Sequence, residues 1–220
     1  MSIRSKFLHR PHVLLAALAL CAGLGSATAA TTDAQFQAAF QTFSAGQKGD
    51  SDAIDRAADQ FGDLLKADPG HPVLMAYAGA ATAMKAKTTL MPWKKIGYAE
   101  DGLAQIDKAL ALLQPEHDTA VLNHSPVSLQ TRFTAASTFC GLPGFFNRGP
   151  RCAKLLAEVQ ASPLLAQATP GFQGAVLITA AKQAAKEFRN AEARADLTAV
   201  IERGLPQAEA ARAQLKELPQ

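Results

Sequence analysis

Few residues of this chain have the type and spacing that catalysis or metal binding requires. A zinc site needs three or four ligands converging at short spacing. Beyond the first 29 residues the only histidines are His71, His117 and His124, and no two stand at the i, i+4 interval that shares a helical face. Cys140 and Cys152 are an isolated pair. There is no G-x-S-x-G elbow, no glycine-rich phosphate loop and no H-E-x-x-H. Acidic residues are scattered at positions that read as solvated helix surface. The sequence therefore predicts no catalytic residue, no metal site and no cofactor.

Four side chains remain as binding candidates, each with a structural reading beside it. Trp93, the single tryptophan, sits between Pro92 and Lys94-Lys95. It could stack on a ligand with Lys94 alongside; the favoured expectation is that it pins its segment onto the core. Arg132 precedes Phe133, which reads as inward, so its guanidinium should be partly buried and need a carboxylate or carbonyl partner. Asp101 and Asp107 are the expected partners, and an ion pair is favoured over a ligand clamp. Phe145 and Phe146 should plug a helical junction. Arg148 should cap nearby carbonyls, or contribute to a site.

The elements that would position these residues begin after a leader. Arg4, Lys6 and Arg10 stand in an acid-free start, Val13 to Leu24 are almost wholly apolar, and Ala27-Thr28-Ala29 has the small-x-small pattern of a signal-peptidase site. The order predicts a cleaved export signal over residues 1–29, with an apolar run shorter than the ~20 residues of a membrane span. The expected location is periplasmic or secreted, with no stable membrane span once the signal is removed. Alternatives are a retained anchor and a lipid on Cys21, which Leu20, not a small residue, disfavours.

Arg4, Lys6 and Arg10 account for the whole excess of 22 basic over 19 acidic residues, so residues 30–220 carry a formal net charge of zero. A nucleic-acid partner, which needs a basic stripe, is not expected. General attraction to a membrane surface loses support for the same reason. About 190 residues suffice for a single domain with a sizeable core.

In an oxidising compartment Cys140 and Cys152 are expected to form a disulfide clamping GLPGFFNRGPR. Three glycines and two prolines make that turn costly to order. The competing reading is a pair of buried thiols, since Cys140 lies at a core spacing from Phe133 and Ala136.

Four helical stretches run down to a proline, at Pro69, Pro115, Pro163 and Pro206, at intervals of 46, 48 and 43 residues. A near-constant interval with helical content predicts stacked antiparallel hairpins. Phe36, Phe40 and Phe43 form one stripe of a first helix that Gly46 and Gly49 should break, with Ser51 capping the next. That second helix should bury Ile54, Ala57, Ala58, Phe61, Leu64 and Leu65, ending at Asp68-Pro69-Gly70. Pro72 then opens a helix whose small-residue face (Leu74, Tyr77, Ala78, Ala81, Met84) allows close approach of a neighbour. Ser125-Pro126 should open a helix through Leu129, Phe133, Ala136 and Cys140, stopped by Gly141 to Gly144. Leu155, Leu156 and Val159 mark a short helix ending at Ser162-Pro163. Phe172, Val176, Leu177, Ala180, Ala184 and Phe188 mark a longer one. Asn190 should cap a helix with Leu197, Val200 and Ile201 inward, and Gln207 to Glu217 should form a polar terminal helix. No stretch alternates long enough to predict a strand.

Ala57, Phe61, Leu64 and Pro69 resemble the second helix of a tetratricopeptide repeat, and Leu74, Tyr77, Ala78 and Ala81 the first helix of the next. Gly102, Ile106, Ala109 and Pro115 would complete it. The resemblance implies an all-α, tetratricopeptide-like superhelix. Since its usual period is about 34 residues, an insertion is expected over 85–100. Over roughly residues 72–160, PWKKIGY, Arg132 and LPGFFNR are similar to a family of exported bacterial tetratricopeptide-like proteins with P-W-x-K-x-x-Y and L-P-x-F-F-G-R segments. Asn147 replaces the family's glycine, and asparagine also tolerates the left-handed conformation. This likeness implies fold and export but no activity.

The expected function is a non-catalytic cell-envelope scaffold holding a peptide or protein partner on the concave repeat surface. The alternative is a small-molecule binder or enzyme whose pocket lies between the 85–100 insertion and the 141–151 turn.

Overall fold

The computed structural model describes residues 31–219, so the expected signal segment and Cys21 lie outside the described residues. These residues form helices α1 (Asp33–Gln47), α2 (Ser51–Ala67), α3 (Pro72–Met84), α4 (Pro92–Ala111), α5 (Val127–Cys140), α6 (Gly149–Ala161), α7 (Pro170–Lys186), α8 (Asn190–Glu202) and α9 (Ala208–Glu217). A two-residue ladder, β1 (Val121–Leu122) with β2 (Ser125–Pro126), is the one departure from the expected all-α architecture.

Pro69, Pro115, Pro163 and Pro206 all fall just beyond the ends of the even-numbered helices α2, α4, α6 and α8. After α2 and α6 the proline restricts the residue before it, the C-caps Asp68 and Ser162. Pro115 and Pro206 stand four residues past α4 and α8, and the chain leaves α8 through Gly204 at φ +59°. Starts are marked as well. Thr32 and Gln35 make a reciprocal capping box on α1, and the Asp50 carboxylate accepts from the Ala53 N–H at 3.0 Å to start α2. Each such cap stabilises by about 1 kcal/mol.

Helices adjacent in sequence pack on one another from α1 through α4, then α5 on α6, and α7 through α9; α5 also lies against α3. One apolar cluster joins α1 to α6 around Phe36, Phe61, Leu74, Ile106 and Phe139. A second, around Leu177, Leu197 and Val200, belongs to α7, α8 and α9. Leu129, Val159 and Val176 bridge the two. The α3–α4 pair approaches closely, because the small-residue face of α3 meets Gly102 of α4.

Several local expectations are corrected. Residues 85–100 are not a separate insertion: a short 3₁₀ turn and loop lead into Pro92, and the rest is the first half of α4. Gly46 does not break α1; it sits in the last turn, where an added Cβ would meet Ile54 Cγ1 at 2.9 Å. The chain leaves the helix at Gly49, whose φ of +108° requires glycine. Asp50, not Ser51, caps α2, and Asn190 is the first residue of α8, not its cap. Phe188 faces solvent, since α7 ends before it. Ser125-Pro126 belongs to the ladder, and α5 starts at Val127.

The Cys140–Cys152 disulfide is present, with Cα atoms 5.2 Å apart. It ties the last residue of α5 to the first turn of α6 and closes the intervening turn. Within that turn Asn147 adopts the left-handed conformation, φ +54°. Phe146 packs against the core, whereas Phe145 is exposed and plugs nothing.

Candidate functional site

A cleft of about 840 Å³ opens among the described residues. Its lining comes from α1, α3, α5 and α7, from the turn at residues 123–125, and from Thr169 and Gln207 at helix starts; α2, α4, α6 and α8 contribute nothing. One wall is the phenylalanine stripe of α1. Phe36 and Phe43 meet Tyr77 of α3 edge-on at 5.3 and 5.2 Å between ring centres, and Phe61 of α2 stacks on Tyr77 from behind at 5.0 Å. These rings have a fixed geometry because the α1 stripe repeats at i, i+4 and i+7.

The opposite wall carries Phe172 of α7, which meets Phe133 of α5 edge-on at 5.1 Å. Between the walls, α5 presents Gln130, Phe133, Thr134 and Ser137. Tyr77 is buried behind this surface, and its phenol is pushed up to about 12 by burial, partly offset by Thr134. Gln37 and Gln47 from α1, and Thr169 and Thr179 from the α7 side, add groups that both donate and accept hydrogen bonds.

One end of the cleft is shaped by the β1–β2 turn. Asn123 and His124 are its two central residues, with φ of +49° and +59°, the left-handed pair that a two-residue hairpin of this kind needs. Buried Gln130 donates through Nε2 to the carbonyls of Leu122 and Ser125 at 2.6 and 2.8 Å, and Asp33 Oδ1 accepts from the Asn123 N–H at 2.5 Å. The turn thus ties the start of α1 to α5 and sets His124 at the rim. Sequence reasoning missed it: Asn-His is a poor match to the Asn-Gly signature, and two-residue strands are too short to alternate.

Next to the cleft lies a smaller depression of about 190 Å³, and the two share Phe43, Gln47 and Ser137 in their lining. Lys87, Gly141 and Leu142 line the far side of this depression, so the 85–100 segment and the 141–151 turn do share a small concavity.

The four sequence candidates do not converge on either space. Trp93 is 71% exposed near the start of α4 and pins nothing, with Lys94 beside it in sequence, also exposed. Arg132 pairs with Asp118 at 3.7 Å, not with Asp101 or Asp107. Arg148 caps no carbonyl; it pairs with Asp107 at 3.1 Å and lies 5.2 Å from the centre of the Phe139 ring. Arg151 joins it on Asp107 at 2.5 Å and on the same ring at 4.9 Å. Among the described residues no three His, Cys, Asp or Glu side chains are gathered as a metal site. No family model, curated protein or solved structure matches the chain, so the geometry of the cleft carries the functional argument.

Proposed function

We propose that this protein is a non-catalytic scaffold that holds an extended peptide segment of a partner protein in the cleft between α1, α5 and α7. The observation that carries the reading is the adjacency of the two concavities, which share Phe43, Gln47 and Ser137 in their lining and so offer an extended segment more than one depression to lie along. Aromatic walls bury apolar side chains, while glutamine and hydroxyl groups can pair with a peptide main chain whatever its sequence. That α1, α3, α5 and α7 are the helices lining the cleft supports a tetratricopeptide-like superhelix, whose first helices of each hairpin form the concave face. The disulfide supports a periplasmic or secreted location.

A second reading is a small-molecule site in the same cleft, whose volume falls in the ~300–1,000 Å³ range of such pockets. Capture from cell-envelope extract separates the two. Gln37→Arg and Thr179→Arg place bulky charges in facing walls without touching the core. The scaffold reading expects a stoichiometric protein captured by the unaltered chain and lost with the double variant. A small molecule released on denaturation would favour the second reading, and protein capture indifferent to both substitutions would refute the cleft as the site.

A further inference from the structure

The start of α4 is built against its own stability. Every residue from Leu90 to Ile96 is exposed, and four of the seven are large and apolar: Leu90 at 92%, Met91 at 44%, Trp93 at 71% and Ile96 at 49%. Leaving such side chains in water forfeits the burial that drives folding. The first turn of α4 holds no acid, and Met91 caps it with no side-chain hydrogen bond. Lys94 and Lys95 stand where the helix dipole favours carboxylates. No acidic residue occurs between Lys85 and Ala99. Lys85 is engaged by Asp55 at 3.1 Å, whereas among the described residues Lys87, Lys94 and Lys95 have no ion-pair partner.

Apolar side chains, lysines and free helix N–H groups at one tip match one chemistry: an interface with hydrocarbon beneath and anionic phosphates above. Charge complementarity decides for lipid, since a second copy of the same tip would set lysines against lysines. We infer that the tip at residues 87–96 docks this protein on an anionic membrane surface, with Leu90, Met91 and Trp93 entering the headgroup region and Lys87, Lys94 and Lys95 meeting lipid phosphates. The zero net charge of residues 30–220 does not oppose this, because screening over about 10 Å makes the local cluster decisive. The tip is separate from the larger concavity, whose lining includes no residue between Lys85 and Ile96; of the tip, Lys87 alone also lines the smaller depression.

Trp93 is the single tryptophan, so its fluorescence reports on the tip, and membrane binding by any other part of the chain leaves it unmoved. With vesicles of phosphatidylglycerol and phosphatidylcholine at low salt, its emission should shift to the blue and be quenched by brominated acyl chains. Vesicles of phosphatidylcholine alone should leave it unchanged. Lys94→Gln with Lys95→Gln should weaken the titration roughly 30-fold. Leu90→Ser with Met91→Ser should abolish the shift while circular dichroism stays that of the unaltered protein, since both side chains are already in water. Unchanged emission with anionic vesicles would overturn the inference, as would an equal shift with neutral vesicles or indifference to the lysine substitutions. A shift produced by raising protein concentration without lipid would assign the tip to a second copy instead.

Discussion

Gly79 of α3 and Gly102 of α4 face each other so closely that each occupies the space a side chain on the other would need. A Cβ on Gly79 would lie 2.6 Å from the Gly102 carbonyl oxygen, and a Cβ on Gly102 would lie 2.4 Å from that of Gly79 and 2.7 Å from the Ala83 nitrogen. The obstacles are backbone, which cannot rotate away. Gly102→Ala must therefore push the helices apart, at a cost of about 3 kcal/mol or more. Gly97, five residues earlier on the same helix, has open space around its Cβ position. Gly97→Ala should stabilise by about 0.5–1 kcal/mol through helix propensity. Urea titrations of the two variants should move in opposite directions.

Tyr77 sets an alkaline limit. Its phenol is held at about 12 by burial, against about 10 in an unfolded chain. Between those values the unfolded chain has released a proton that the folded chain retains, so stability falls with rising pH by roughly 1 kcal/mol per unit. Tyr77 should show its phenolate band only near pH 12 or on unfolding. At the acid end, burial holds the His71 imidazole below its usual range. There the unfolded chain takes up a proton first, and stability falls as the pH drops below about 6.5. Tyr77→Phe should remove the alkaline slope alone.

The disulfide should be worth about 2–4 kcal/mol. Peptide mapping without reductant should recover Cys140 and Cys152 joined, and Cys140→Ser with Cys152→Ser should lower the unfolding midpoint. Recovery of two free thiols at these positions from oxidised protein would contradict it.

Asp107 receives both Arg148 and Arg151, which also flank the Phe139 ring. Being about one-third exposed, the carboxylate is screened by water, so Asp107→Asn should cost about 1 kcal/mol. A double-mutant cycle should give measurable coupling between Arg148 and Asp107. For Arg132 and Asp118, 3.7 Å apart and more exposed, it should give none.

His124→Gly should raise stability by about 0.5–1 kcal/mol, because the left-handed conformation costs glycine nothing. If His124 touches the cleft's occupant, the same substitution should weaken capture.

What the sequence disclosed follows from the range of the forces involved. Proline termini, the α1 stripe and the small-residue face of α3 act within a few residues, so Pro69, Phe36 and Ala81 could be placed from spacing alone. Cys140 and Cys152 were legible because only two cysteines lie beyond Cys21. The partners of Arg132 and Arg148 were not, since Asp118 and Asp107 are brought to them by packing between separate helices. Pro92 misled: at a first helical position it starts α4, but beside LM and WKK it read as part of an insertion. The cleft itself left no local signature, because its walls lie on helices more than 80 residues apart, joined only where α5 passes between them.

Packing between sequence neighbours also bears on how the chain reaches this state. Most contacts join helices consecutive in sequence, so little loop-closure entropy is spent before contacts begin to form, the condition for fast folding. The disulfide spans only 12 residues, and its two cysteines emerge almost together. Such a chain can acquire structure from its leading end while the trailing helices are still threaded through a narrow exit.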